Sequence, residues 1–201
     1  MNKKFKIGHL FLAAAVLALV STASCKQEPK NEDTKEVAED VNDATETATD
    51  SISDARNDDS DYLVAAAETD LMEIELGKLA LKKSTNPKVK ELANMMIDQH
   101  TKASTATKSL ASNKQIALPA ALTDKGKEAY DDLDKKTGKD FDDAYADKMV
   151  DGHEDAISKI KDASEHAKDA EVRQWAADML PTLNTHLEHS KMLQDQIKKM
   201  K

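Results

Sequence analysis

Residues 62–87 read YLVAAAETDLMEIELGKLALKKSTNP, and this stretch decides the fold. Apolar residues recur at three- and four-residue intervals from Tyr62 to Lys83, the period of an amphipathic helix. Ser60 or Asp61 suits its N-cap, and the cluster Ser84-Thr85-Asn86-Pro87 ends it. Asn86 then caps a second helix, with Pro87 at the first helical position, where a missing N–H costs nothing. So short a link makes the two helices antiparallel neighbours, the second running to about Ser112.

The pattern continues after a long connection from Asn113 to Lys139, which contains Pro119, a short helix expected over Thr123 to Lys136 and a stop at Gly138. Helix three is expected from an Asp140 cap to about Ala167. Helix four is expected from Asp169 nearly to Lys198 and Lys199, whose charge suits a helix C-terminus. Pro181 should kink or split that last helix, because a proline deletes one backbone hydrogen bond. Two hairpins joined by a long connection define an all-α, ferritin-like four-helix bundle over residues 61–201, with the short extra helix between helices two and three. A 3% aromatic content with few Gly and Pro agrees with helices over sheet.

The chain upstream has a different character. Lys3, Lys4 and Lys6 precede an apolar run from Ile7 to Val20 and the small residues Ser21-Thr22-Ala23-Ser24, the pattern of a signal peptide over residues 1–24. Cys25, the only cysteine, follows directly and resembles the acylated cysteine of bacterial lipoproteins, although Thr22 stands where such proteins usually carry Leu. An ordinary cleaved signal with a leftover thiol is the other reading. Several acyl chains, at about 0.8 kcal/mol per buried methylene, would hold the protein on a membrane. Lys26 rather than Asp after the cysteine resembles outer-membrane sorting, with the domain facing the periplasm or the cell surface. From Lys26 to Ser60 there are twelve acids and four bases, a net charge of −8, whereas residues 61–201 hold twenty-six acids and twenty-two bases, a net of −4. Residues 25–60 are therefore expected to form an acidic, extended tether behind the lipidated cysteine, in which the Val37, Val41, Ala44, Ala48 spacing could support a transient helix, although those side chains are small. With no basic stripe, nucleic acid is not an expected partner and the membrane is expected to be reached through the lipid alone.

Each long helix also carries an ionisable residue near its midpoint on its apolar face: Glu68 and Glu75, His100, His153 and His186. Glu73, Asp98, Glu154, Glu188 and His189 point outward on the same wheels, and His166 sits at an edge. Counting from the tight turns, His100 lies at the level of Leu71, between the two glutamates, and His153 at the level of His186. Three imidazoles with a carboxylate are ligands for zinc, iron, copper or manganese. They could equally form a hydrogen-bonded core network that only specifies helix register. A di-iron centre needs a Glu three residues before a ligating His on two helices, and those positions are Ile97 and Leu183. Met72, Met96, Met149 and Met179 fill inward positions, Trp175 anchors the core, and no nucleophile elbow or phosphate loop is present.

Several segments together resemble a known family: Glu73-Ile74-Glu75-Leu76-Gly77-Lys78-Leu79-Ala80, Asn86-Pro87-Lys88-Val89-Lys90, Met96-Ile97-Asp98-Gln99-His100, Phe141-Asp142-Asp143-Ala144-Tyr145, Gly152-His153-Glu154, and Leu180-Pro181-Thr182-Leu183 followed by His186. In this order they look like the domain of unknown function 4142 family over roughly residues 61–193. The resemblance implies a ferritin-like fold and a place in the bacterial envelope, and it implies no activity. Two functions stay open, a metal-binding or stress-protective bundle and a non-catalytic structural or interaction module.

Overall fold

The computed structural model describes residues 33–44 and 50–200, with side chains for 33–43 and 59–200. The signal peptide and Cys25 lie outside the described residues. Six helices, and no strand among the described residues, make up the fold: α1 (Thr34–Ala44), α2 (Asp50–Lys83), α3 (Pro87–Asn113), α4 (Asp124–Asp134), α5 (Gly138–His166) and α6 (Ala170–Lys199). None is long and apolar enough to cross a membrane.

Helices α2 with α3, and α5 with α6, form the most extensive packed pairs, and α2 with α5 and α3 with α6 close the bundle. Inward residues follow steps of three and four throughout. They are Leu63, Ala66, Asp70, Glu73, Gly77 and Ala80 on α2, and Val89, Ala93, Met96, His100, Ser104 and Thr107 on α3. On α5 they include Tyr145, Met149, His153, Ala156, Ile160 and Ala163, and on α6 Leu183, His186, Ser190, Leu193 and Ile197. A mean repeat near 3.5 keeps one stripe facing the neighbours and favours a shallow crossing of about 20°. The apolar core divides in two. One cluster holds Leu76, Val89, Met96, Phe141, Tyr145, Met149 and Leu193, the other Leu63, Ala66, Ile160, Val172, Trp175 and Leu183. The three histidines sit where they meet.

Helix ends follow local chemistry. Asn86 accepts from the Lys88 N–H, and Asp169 accepts from the N–H groups of Glu171 and Val172. At the end of α3, Gln115 takes a left-handed φ of 56°, Ile116 N–H returns to the Ala111 carbonyl and Gln115 N–H to that of Ser112, a Schellman closure. Two expectations change here. Gly138, with φ of 57°, opens α5 instead of only stopping the short helix, so Thr137 and not Asp140 stands at the cap. And α6 runs unbroken through Pro181, which is exposed.

The largest correction lies upstream. Residues 25–60 are not an extended tether throughout: Thr34–Ala44 is helical and packed against the bundle, and α2 begins at Asp50, twelve residues before Tyr62. Ala38 and Asn42 are buried, and Asn42 is held at both ends of its amide, Nδ2 donating to the Ala117 carbonyl at 3.1 Å and Oδ1 accepting from Ala117 N–H at 2.7 Å. Thr34 donates to the Ala121 carbonyl, and Asp33 accepts from Asp124 N–H at the start of α4. Asp59, on the part of α2 upstream of Tyr62, is tied to the α5–α6 turn, where its two oxygens accept from the N–H groups of Lys168 and Asp169 at 2.7 Å each. Acidic side chains here satisfy backbone donors, so charge did not mean solvation.

Gly77 marks the closest approach of α2 and α3. A Cβ there would stand 2.9 Å from Ile97 Cγ1 and 3.2 Å from the Ala93 carbonyl oxygen. Gly77→Ala should therefore lose stability, by about 1 kcal/mol, because overpacking of about 1–3 kcal/mol outweighs the roughly 1 kcal/mol gain in helix propensity. Gly77→Val should lose about 3 kcal/mol. Urea denaturation followed by circular dichroism checks both, and a stabilised alanine variant would contradict the close approach.

Candidate metal centre

Three helices each deliver one imidazole to the same level. His100 from α3, His153 from α5 and His186 from α6 are 1%, 1% and 2% exposed. His100 Nε2 lies 3.4 Å from His153 Nε2, and His153 Nε2 lies 3.2 Å from His186 Nδ1. One nitrogen from each ring can be chosen so that all three fall within 4.8 Å of one another. Nitrogens bound to a tetrahedral ion at 2.0–2.1 Å stand about 3.3 Å apart, so two of the three edges already have that length.

The far side of each ring decides which nitrogen carries hydrogen. His153 Nδ1 faces the Met149 carbonyl oxygen at 2.7 Å, and a carbonyl only accepts, so Nδ1 holds the proton and Nε2 turns a lone pair to the centre. His100 Nδ1 lies 2.8 Å from Asp70 Oδ1, an orienting carboxyl of the kind that stands behind metal-bound histidines. His186 Nε2 is buried with no hydrogen-bond partner. The lone pair of His153 faces two other ring nitrogens and can accept from only one, so direct bonds among the three rings leave one of these contacts without a hydrogen bond. A single cation would engage three lone pairs together. The buried group could hold a metal ion.

The carboxylates are not the ones expected. Glu68 accepts from Thr123 Oγ1 at 2.7 Å and lies 3.7 Å from Lys35 Nζ, so it ties the bundle to α1 and the connection. Glu75 pairs with Lys78 at 2.7 Å on a partly exposed face. Asp70 takes the place beside the histidines, and Glu73, which the wheel turned outward, is fully buried with neither oxygen partnered. The wheel failed because Leu71 and Met72 pull the apolar direction of α2 towards themselves, whereas the inward stripe is made of Ala66, Gly77 and Ala80. Small residues where helices come close were the available signal. Gly152 belongs to it as well, since a Cβ there would meet Glu73 Oε1 at 3.0 Å. Asp98, Glu154, Glu188, His189 and His166 are exposed.

Over residues 43–193 the chain matches the family described as a domain of unknown function, DUF4142. The chain belongs to this family. No curated protein and no solved structure matches it. The histidine layer of this DUF4142 chain, with Asp70 and Glu73, lies within the matched span.

Burial governs the protonation of the layer. It lowers His100 and His153 to about 4 and, with the charges of His100, His153 and His189 adding to it, His186 to about 3. For His153 the charge of His100 works in the same direction and the Met149 carbonyl opposes it. Burial also raises Glu73 to about 8, helped by Asp70, and pushes Asp70 well up against the pull of Lys108. Asp70 and His100 thus meet as a neutral hydrogen-bonded pair in the metal-free protein, and the imidazoles keep their lone pairs at neutral pH.

These directions fix the pH dependence of metal-free stability. The histidines bind protons less readily folded than unfolded, so stability falls as the pH drops from their ordinary 6.5 towards 4. Glu73 binds its proton more readily folded, so stability falls as the pH rises from 4.5 through about 8. Urea denaturation in a chelator between pH 5 and 9 should peak near 6.5, and Glu73→Gln should flatten the alkaline side, by at most about 1.4 kcal/mol per pH unit. A monotonic rise to pH 9 in the parent protein would refute the assignment.

Proposed function

We propose that this protein is a ferritin-like four-helix bundle of the bacterial cell envelope, lipid-anchored through Cys25, that binds one transition-metal ion with His100, His153 and His186. The convergence of three ring nitrogens from three helices, two of their separations at 3.4 and 3.2 Å, carries the metal reading. An all-nitrogen donor set suits zinc, copper, nickel or ferrous iron better than manganese, magnesium or calcium, which prefer oxygen. Ile97 and Leu183 leave the di-iron pattern incomplete, so one ion per chain is the expected load. Two packed hairpins joined by a connection that carries α4 support the ferritin-like topology. The basic, apolar and small-residue run ahead of Cys25 supports export and acylation.

Asp70 is a positioning residue in this scheme. Its carboxyl accepts from His100 Nδ1–H when the opposite nitrogen binds metal, which fixes the tautomer and ring plane. Met149 does the same for His153 through its backbone carbonyl. Binding to the folded chain alone also stabilises it, by about 2.7 kcal/mol at a hundredfold excess over Kd.

Elemental analysis of untagged protein should find close to one transition-metal ion per chain, and chelator-stripped protein should take up Co2+ with a visible spectrum of tetrahedral character. His153→Ala should abolish that spectrum, and Asp70→Asn should weaken the ion by about 10–100-fold while leaving the fold intact. Parent protein that is metal-free as isolated and whose melting temperature does not respond to zinc, copper, cobalt or ferrous iron would leave the layer with a structural role only.

A further inference from the structure

Methionine occupies two kinds of place in this bundle. Met72, Met96, Met149 and Met179 pack in or against the two apolar clusters, as gap-filling methionines do. Met192 does not, being 52% exposed on α6. It lines a groove between α3 and α6 together with His189 of its own helix and with Lys88, Glu91, Leu92 and Met95 of α3.

Helical spacing sets these side chains beside one another. His189 and Met192 stand three residues apart on α6, and Glu91 and Met95 four apart on α3, so each pair shares a face with Cβ atoms about 5–6 Å apart. Along the helices, Met95 lies five residues from His100 and Met192 six from His186, rises of about 7.5 and 9 Å that bring the two methionines to one level of the groove. His189 is half that distance from the histidine layer, on the same side of it. The two walls are also within electrostatic reach of each other. Lys88, bonded to Glu91 at 2.8 Å, holds that carboxyl below its usual range, and the charge of His189 acts on it in the same direction from across the groove. The one ammonium in the lining is thus neutralised by its own neighbour on α3.

We propose that the groove between α3 and α6 is a surface site for one soft monovalent metal ion, cuprous copper, held by the thioethers of Met95 and Met192 and an imidazole nitrogen of His189. Thioether sulfur is a soft ligand that selects Cu(I) over harder divalent ions, and imidazole accepts copper as well. The unbranched methionine side chains, each with three rotatable bonds, let two sulfurs turn to one ion while the helices stay in place. Exposure of Met192 and His189 leaves the ion open to exchange with solvent. The site shares no ligand with the buried histidine layer and does not depend on the metal reading above.

The test uses the full-length chain with 13C-labelled methionine methyls, and Ag+ as a redox-stable probe of the same charge and softness. Ag+ should shift the methyl resonances of Met95 and Met192 along one saturable curve, with that of Met72 left in place, the signals being assigned through Met95→Leu and Met192→Leu. Zn2+ should leave both groove methyls unmoved. Met192→Leu, which keeps an apolar side chain at an exposed position, should raise the Ag+ Kd read at Met95 by about tenfold or more, and His189→Ala should do the same. Because the readout is local to the groove, an ion taken up by the histidine layer does not mimic it. Groove methyls unmoved by Ag+, or an affinity at Met95 equal in the parent and both variants, would overturn the proposal. Different midpoints at Met95 and Met192 would overturn the shared ion, and a response to Zn2+ as strong as that to Ag+ would overturn the selectivity for a soft ion.

Discussion

Every feature of the centre depends on the constraint that four helices keep one inward stripe over about four to five turns. Steps of three and four hold the stripe in place, and small residues along it set how closely the helices approach. With that register in force, His100, His153 and His186 reach one level although 33 to 53 positions separate neighbouring pairs in the chain. A slip of one residue in α3, α5 or α6 would turn an imidazole about 100° away from the others. The tight approach at Gly77 and the space left by Gly152 are parts of the same device.

Chemistry then follows from the low polarity of the setting. Imidazole taken out of water loses its proton, and carboxylic acid taken out of water keeps its own. The layer is therefore a set of neutral donors, free of the charge repulsion that three imidazolium rings would suffer at such distances. Two rings are oriented from behind, one by a carboxyl and one by a helix carbonyl. The third, His186, has no such support at Nε2. It is the ring with the least to hold it in place.

Much of this was legible in the chain. Asn86-Pro87 and Asp169 marked the hairpin turns to within a residue or so, because capping is local chemistry and local chemistry is written in adjacent residues. The three histidines were legible too, since each lies on a wide apolar arc of its own helix. Asp70 and Glu73 were not, because the stripe positions nearest them on α2 are Ala66, Gly77 and Ala80, which hydropathy barely weighs against Leu71 and Met72. The docked helix α1 was hidden for a different reason. Its attachment runs through Asn42 to the backbone of Ala117, seventy-five residues away, and the Val37 and Val41 spacing that suggests a helix marks its exposed side, whereas Ala38 and Asn42 face the bundle.

Glu73 invites one last consideration. A fully buried acid with both oxygens unpartnered sits where leucine or glutamine would fold more favourably, and random substitution offers such replacements readily. One turn from Asp70 and facing the gap that Gly152 leaves in α5, Glu73 makes the interior of this bundle gain charge as the pH rises, so the packing at the α2–α5 contact carries an electrostatic load that an apolar side chain would not impose.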